Sequence, residues 1–290
     1  MRAARADRSP RAQSRARWAA HRHLSASARA EARYVLDLVR ILGAVHRGVL
    51  HVVHREILGL PSPSPELHQD APHVGLGDDL LRKILRYVHP QAQLAFDFMA
   101  KDVDRSSARG AELVGIKPRT VPGLATVIGR ARDANVSLIT RASESFLEQV
   151  RDVLEEHEGE RPEEIADLLE ERVGVSESRA TLIARDQVLK LNGQITKHRQ
   201  ESAGVTRFRW STSRDERVRA THREIDGQVF TWEEGADLED EDEPTFPGQP
   251  IQCRCVAIPV IEELEEPDES EAGEEEAEAA DPGVDVAAEE

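Results

Sequence analysis

Cys253 and Cys255 are the two cysteines of the chain and stand in one Cys-x-Cys, downstream of His222. Residues i and i+2 of a strand project to the same face, so an extended 253–255 segment turns both thiols together and sends Arg254 the other way. Two thiolates and an imidazole suit Zn²⁺, which takes four ligands; Asp226, Asp215 or a water would supply the fourth. The competing reading is that both thiols are small buried hydrophobes closing a sheet. That second reading is adopted, so no cofactor is expected, with zinc on His222, Cys253 and Cys255 as the alternative. A disulfide is disfavoured, because extended neighbours two apart lie near the upper limit of bridging geometry. His222 and Asp226, four residues apart on a helical turn, also form a possible base and orienter. No nucleophile motif, phosphate-binding loop or glycine-rich dinucleotide fingerprint accompanies them. No catalytic residue is therefore assigned, and the expectation is a protein that is not an enzyme.

The arginines near these residues carry two readings. Arg217, Arg219 and Arg254 either meet DNA phosphate or neutralise Asp215, Asp226 and the acidic run from Glu233 to Glu243, and the structural role is preferred. Arg185 and Asp186 lie mid-helix, where a buried arginine orienting the tryptophan strand and a contact with a partner are equal readings, and Trp210 reads as core.

The elements that must hold these groups follow from composition and periodicity. The net charge of -17 is unevenly placed: residues 262–290 hold fifteen acids and no Lys or Arg, so the remainder is close to neutral. Residues 1–60 hold twelve Arg, no Lys and four acids. A basic opening and an acidic tail on a neutral body predict disorder for 1–26 and 262–290, which lack the apolar content to pack. No uncharged apolar run reaches the roughly 18–20 residues of a bilayer span. A soluble intracellular protein is expected.

Between the two ends, Val35, Leu38, Leu42, Val45, Val49, Val53 and Ile57 recur at helical steps in a pattern that begins at Ser27. Residues 61–79 read as a Pro/Ser/Gly linker. A helix interrupted at Pro90 follows, and then a long one over about 124–157. A short helix closed by Gly174 gives way to another capped by Ser176. Beyond Gly204 the period changes to two, with Phe208 and Trp210 on one face and Arg207 and Arg209 on the other. The expected fold is α+β: a mostly helical region over 27–173, then a small antiparallel-sheet domain over 174–261 whose last strand is 251–261.

The order of residues in that second part resembles a known family. Ala184-Arg185-Asp186-Gln187 is followed by Trp210, then by Asp215-x-Arg217-Val218-Arg219-x-x-His222-x-x-Ile225-Asp226-Gly227. Pro247-Gly248 and the closing Cys253-Arg254-Cys255 end the series. This is similar to the Mu F-like head-morphogenesis (minor head protein) family of tailed phages, over about 121–261 and most clearly over 180–255. Gln252 stands where the family usually has Asn. The resemblance implies a low-copy phage or prophage protein of the virion head interior or procapsid, present in the bacterial cytoplasm during assembly. Its implied partners are the portal protein and other head proteins during assembly, DNA packaging or ejection. The Arg-rich opening would add non-specific contact with packaged DNA, and no membrane is involved. Two other readings stand beside it. One is a metal-dependent enzyme or toxin-like effector using His222, Cys253 and Cys255, and the other is a free non-specific DNA-binding accessory protein.

The acidic tail has Leu264, Val284 and Val286 as its only large apolar residues. Deleting 262–290 should therefore leave the melting temperature within a few degrees of the full chain, as read by calorimetry. A larger fall would mean that the tail docks on the body.

Overall fold

The computed structural model describes residues 10–61, 78–116 and 121–261. Six helices and three strands follow in the order α1 (Pro10–Leu24), α2 (Ala28–Val52), α3 (Asp78–Leu113), α4 (Leu124–Glu156), α5 (Pro162–Ser202), β1 (Arg207–Ser211), α6 (Ala220–Glu224), β2 (Val229–Thr231) and β3 (Val256–Pro259). The chain is mostly helical, with a small antiparallel sheet near its C-terminal end. Helices α2 to α5 pack together as a bundle. Its core is made by Tyr34, Leu38, Phe96, Met99, Ile139, Leu147, Leu169, Leu191 and Ile195, all essentially inaccessible to solvent. Two polar groups are accommodated there. The Tyr34 hydroxyl donates to Asn135 Oδ1 at 2.5 Å, and His46 packs on Phe146 with ring centroids 3.8 Å apart.

Ser27 caps α2 by accepting from the Ala30 amide at 3.3 Å, and the helix ends in a π-helical turn over Val53–Ile57. The interruption expected at Pro90 is absent, and α3 runs straight through it. Pro90 lies on the exposed side of the helix, so the Arg86 carbonyl that loses its donor faces water, and the buried Val88 and Ala92 hold the turn in place. The expected helix end at Gly174 and restart at Ser176 are likewise replaced by one continuous helix, α5. The boundary drawn at 173/174 falls inside it. A glycine or serine at mid-helix costs only about 0.5–1 kcal/mol, less than the packing of the flanking turns supplies.

The disorder expected for 1–26 is also corrected. Residues 10–24 form α1, with Pro10 in the first turn, where its missing N–H is no loss. Its apolar content is low, but His21 and Leu24 are buried and its remaining anchors are polar. Asn192 Nδ2 of α5 donates to the Leu24 carbonyl at 2.9 Å. The backbone of His23 lies so close to Gly110 of α3 that a Cβ there would sit 2.2 Å from its carbonyl oxygen. Residues 1–9, linker residues 62–77 and the acidic tail lie outside the described residues. The last two positions of the expected linker, 78 and 79, open α3.

The sheet has the order β2-β1-β3, antiparallel throughout. Phe208 opposes Phe230 and Trp210 opposes Ala257. Phe208 and Trp210 are fully buried while Arg207 and Arg209 are not, as the alternation predicts. They join Trp232, Ala236, Leu238, Cys253, Cys255 and Ala257 in a second, smaller core. Helix α5 connects it to the bundle. Gln200 Nε2 donates to the Ala257 carbonyl of β3 at 2.8 Å. Lys197 Nζ donates to the Trp232 carbonyl at 3.1 Å and lies 3.5 Å from the centre of the Phe246 ring.

The two parts approach each other closely at Gly193 of α5, where a Cβ would stand 2.6 Å from the Pro247 carbonyl oxygen. In a helix interior Gly→Ala ordinarily stabilises by up to about 1 kcal/mol. Gly129 of α4, with open space around it, should behave so. Gly193→Ala should instead destabilise by about 1–3 kcal/mol. Urea unfolding of the two variants checks the opposite signs.

Candidate functional site

The residues of the sequence pattern meet around a pocket of about 130 Å³ lined by Arg217, Arg219, His222, Cys253, Arg254 and Cys255 among others. His222 is carried by α6, five residues long, and its ring meets Trp210 edge to face at 5.3 Å. The cysteines lie outside the final strand. That strand, expected over 251–261, is limited to Val256–Pro259, and Ile251 and Gln252 form a turn. The segment 253–255 still separates its side chains as the alternation requires. Both sulfurs face His222, at 3.6 Å from Nδ1 for Cys253 and 3.5 Å for Cys255. Arg254 goes the other way and grips Asp215 with both terminal nitrogens.

What holds the turn is Asp186 on α5. Its Oδ1 accepts the Gln252 amide at 2.9 Å, while Gln252 Nε2 donates to the Leu182 carbonyl at 2.8 Å. Gln252 has a φ of 58°, a left-handed conformation that Asn adopts more readily than other non-glycine residues. That accounts for Asn as the usual family residue here. Asp186 and Gln252 are 66 residues apart, and no local signal in the sequence links them.

Arg185, Arg219 and Arg254 are placed as charge partners within the fold. Arg254 holds the Asp215 carboxyl below its ordinary range. Arg219 donates to Glu241 at 3.2 Å and to the Ile251 carbonyl at 2.9 Å, tying the start of α6 to the acidic loop and to the turn. Arg217 donates its backbone amide to Asp215 at 3.0 Å, and the residue lines the pocket. Arg185 does not reach the tryptophan strand; its Nε meets Glu31 of α2 at 2.8 Å, because position 185 lies on the bundle side of α5.

Asp226 does not orient His222. It accepts Arg17 of α1 at 2.7 Å and the Thr212 amide at 2.9 Å. Gly227 beside it has a φ of +95°, and a Cβ there would meet Arg17 at 2.2 Å. The Asp-Gly step is thus the seat of the α1 arginine, while the His222 nitrogens face sulfur and the acidic loop. His222, Cys253 and Cys255 are buried with their ligand atoms all within 4.8 Å of one another, and His222 also lies within that distance of carboxylate oxygens of Asp240 and Glu241. Such a set can hold a metal. The Cys253 thiol is pulled well below its ordinary range, chiefly by the hydrogen bond from Cys255, while Cys255 is pushed up by giving that bond.

This is a helical bundle extended by a small α+β module whose closing turn is pinned on a thiol–imidazole cluster. Residues 147–258 match the family model described as Phage Mu protein F like protein, a span that starts later than the resemblance suggested. An uncharacterized protein of Haemophilus influenzae is 33% identical over 151 residues, which make up 51% of this chain and 32% of that protein. The chain thus spans about a third of that relative's length. No solved structure matches. Among the described residues no helix is long and apolar enough to cross a membrane.

The seat of α1 carries a pH dependence. His21 Nδ1 lies 3.1 Å from Ser211 Oγ, and burial, followed by weaker effects, lowers its pKa to about 4. His46 in the bundle is lowered to about 4 for the same leading reason. Both are neutral in the folded chain and protonate near pH 6.5 when unfolded. Their stability contribution is complete above that value and is lost as pH falls towards 4, by roughly 1–2 kcal/mol each at pH 5. Urea midpoints at pH 7 and pH 5 should show this loss, and His21→Asn with His46→Phe should reduce it.

Proposed function

We propose that this protein works in phage head morphogenesis as a minor head protein, binding the portal and internal capsid components during assembly and DNA packaging or ejection. The observation that carries the reading is the Mu F-like match over 147–258. Within that span, the motif residues Arg185, Asp215, Arg219, Asp226 and Arg254 are spent on internal ion pairs, the use expected of a scaffold for interaction. His222 and Asp226 are not bonded to one another, which takes away the base-and-orienter pair of an enzymatic reading.

Contact with the portal is assigned to the bundle. Tyr87, Leu94 and Phe98 are exposed large hydrophobics on α3, and their spacing of seven and four residues sets them along one helix face. Arg33 and Lys101 lie over the Phe98 ring, at 5.2 and 5.7 Å from its centre. An apolar stripe edged by cations fits an amphipathic, partly acidic partner surface. Contact with DNA would fall to arginines other than Arg17, which α1 uses on Asp226.

Co-expression with the cognate portal protein should retain the full chain on a portal affinity column. Leu94→Asp with Phe98→Asp should reduce retention at least tenfold, with the melting temperature unchanged because neither side chain is buried. Retention unaffected by both changes would move the docking surface off α3. Absence of the protein from purified heads and procapsids would overturn the assignment itself.

A further inference from the structure

We propose that His222, Cys253 and Cys255 bind one Zn²⁺ ion, with the fourth coordination position filled by water from the adjoining pocket. The inference goes beyond head assembly and does not depend on it.

The distances fit a tetrahedral ion. With Zn–S near 2.3 Å and Zn–N near 2.0–2.1 Å, a sulfur and a nitrogen on one tetrahedral zinc stand about 3.5–3.6 Å apart. His222 Nδ1 lies 3.6 Å from Cys253 Sγ and 3.5 Å from Cys255 Sγ. All three residues are buried, at 2%, 5% and 7% exposure. Hydrogen bonding accounts less well for the same arrangement. In either tautomer the Nδ1 atom makes one conventional hydrogen bond, accepting from one thiol or donating its N–H to one thiolate, yet both sulfurs approach it equally. A cation among the three atoms uses a lone pair from each.

The surroundings suit the ion. Nδ1 coordination puts the ring proton on Nε2, which is buried and has no hydrogen-bond partner. Asp240 and Glu241 have carboxylate oxygens within 4.8 Å of a His222 ring nitrogen, near enough for the Nε2 proton to reach one of them through a bridging water and so for an outer carboxylate to orient the metal-bound ring. The Trp210 indole N–H, also buried without a partner, lies close enough to favour the Cys255 thiolate. The other acids of the motif are occupied, Asp215 by Arg254 and Asp226 by Arg17. The remaining position therefore faces the pocket. Two soft thiolates and an imidazole select zinc over magnesium or calcium.

The ion would join α6 to the turn before β3. That turn closes a core of only eight buried residues, two of them the cysteines themselves. Small cores commonly need such a staple, and in such a site metal affinity contributes directly to folding free energy.

The test uses the untagged full chain, purified with a reductant and without chelator, and measures zinc by elemental analysis. About one zinc per chain is expected, and chelation should lower the melting temperature. Replacement by Co²⁺ should give thiolate-to-cobalt charge-transfer absorption with tetrahedral ligand-field bands. Cys253→Ser and Cys255→Ser should each lose the metal and the charge-transfer band. Should either fail to fold, Asp240→Asn with Glu241→Gln keeps all three ligands and should weaken zinc binding by 10–100-fold. A wild-type chain that carries no zinc and gives no cobalt charge transfer overturns the proposal. So does zinc retained undiminished by Cys255→Ser, or an affinity untouched by the Asp240/Glu241 variant.

Discussion

Helix α5 has to serve two cores at once, and the arrangement of everything else follows from that constraint. Ala184, Val188, Leu191 and Ile195 belong to the bundle, while Asp186, Gly193, Lys197 and Gln200, on other sides of the same turns, meet the small domain. A helix offers neighbouring faces only about 100° apart per residue, so these two sets must interleave without sharing positions. At Gly193, where the two parts meet backbone to backbone, there is no room for a side chain. The small sheet is thus placed by backbone proximity and by polar side chains that reach its carbonyls and amides.

Helix α1 completes the union from the opposite side. It has few apolar residues to bury, and it is held instead by Arg17 on Asp226, by His21 beside Ser211 and by the Leu24 carbonyl on Asn192. Buried or half-buried polar contacts of this kind are costly when unmatched. They specify one docking position more strictly than an apolar stripe would. The Asp-Gly step of the Mu F-like pattern has its physical meaning here: the carboxylate takes the guanidinium, and the absent Cβ leaves it space.

The matched span, 147–258, covers the end of α4, all of α5 and the sheet. It therefore includes the spine and the small domain but not the helices α1 to α3 that pack upon it. Helices α2 and α3 nonetheless supply much of the bundle core, and α3 carries the exposed stripe assigned to a partner. The matched part acts as a frame on which the N-terminal helices pack.

Much of this was legible in the chain itself. The change from a helical period to alternation near Gly204, the inward Phe208 and Trp210, the outward Arg207 and Arg209, and the pairing of Cys253 with Cys255 against Arg254 are all local patterns, because side-chain direction repeats with backbone geometry. So was the resemblance that the family model matches over 147–258, through the order of its motif residues. Tertiary structure decided what local rules could not. Residues 10–24 fold because distant partners receive their polar groups. Pro90 and Gly174 fail to end helices because the packing of neighbouring turns outweighs a cost of one bond or one propensity. Asp226 serves Arg17 and not His222, and Asp186 sets the turn at Gln252. Each of these pairs residues far apart in sequence, and such a pairing exists only once the chain is folded; the residues nearest in sequence supply no trace of it.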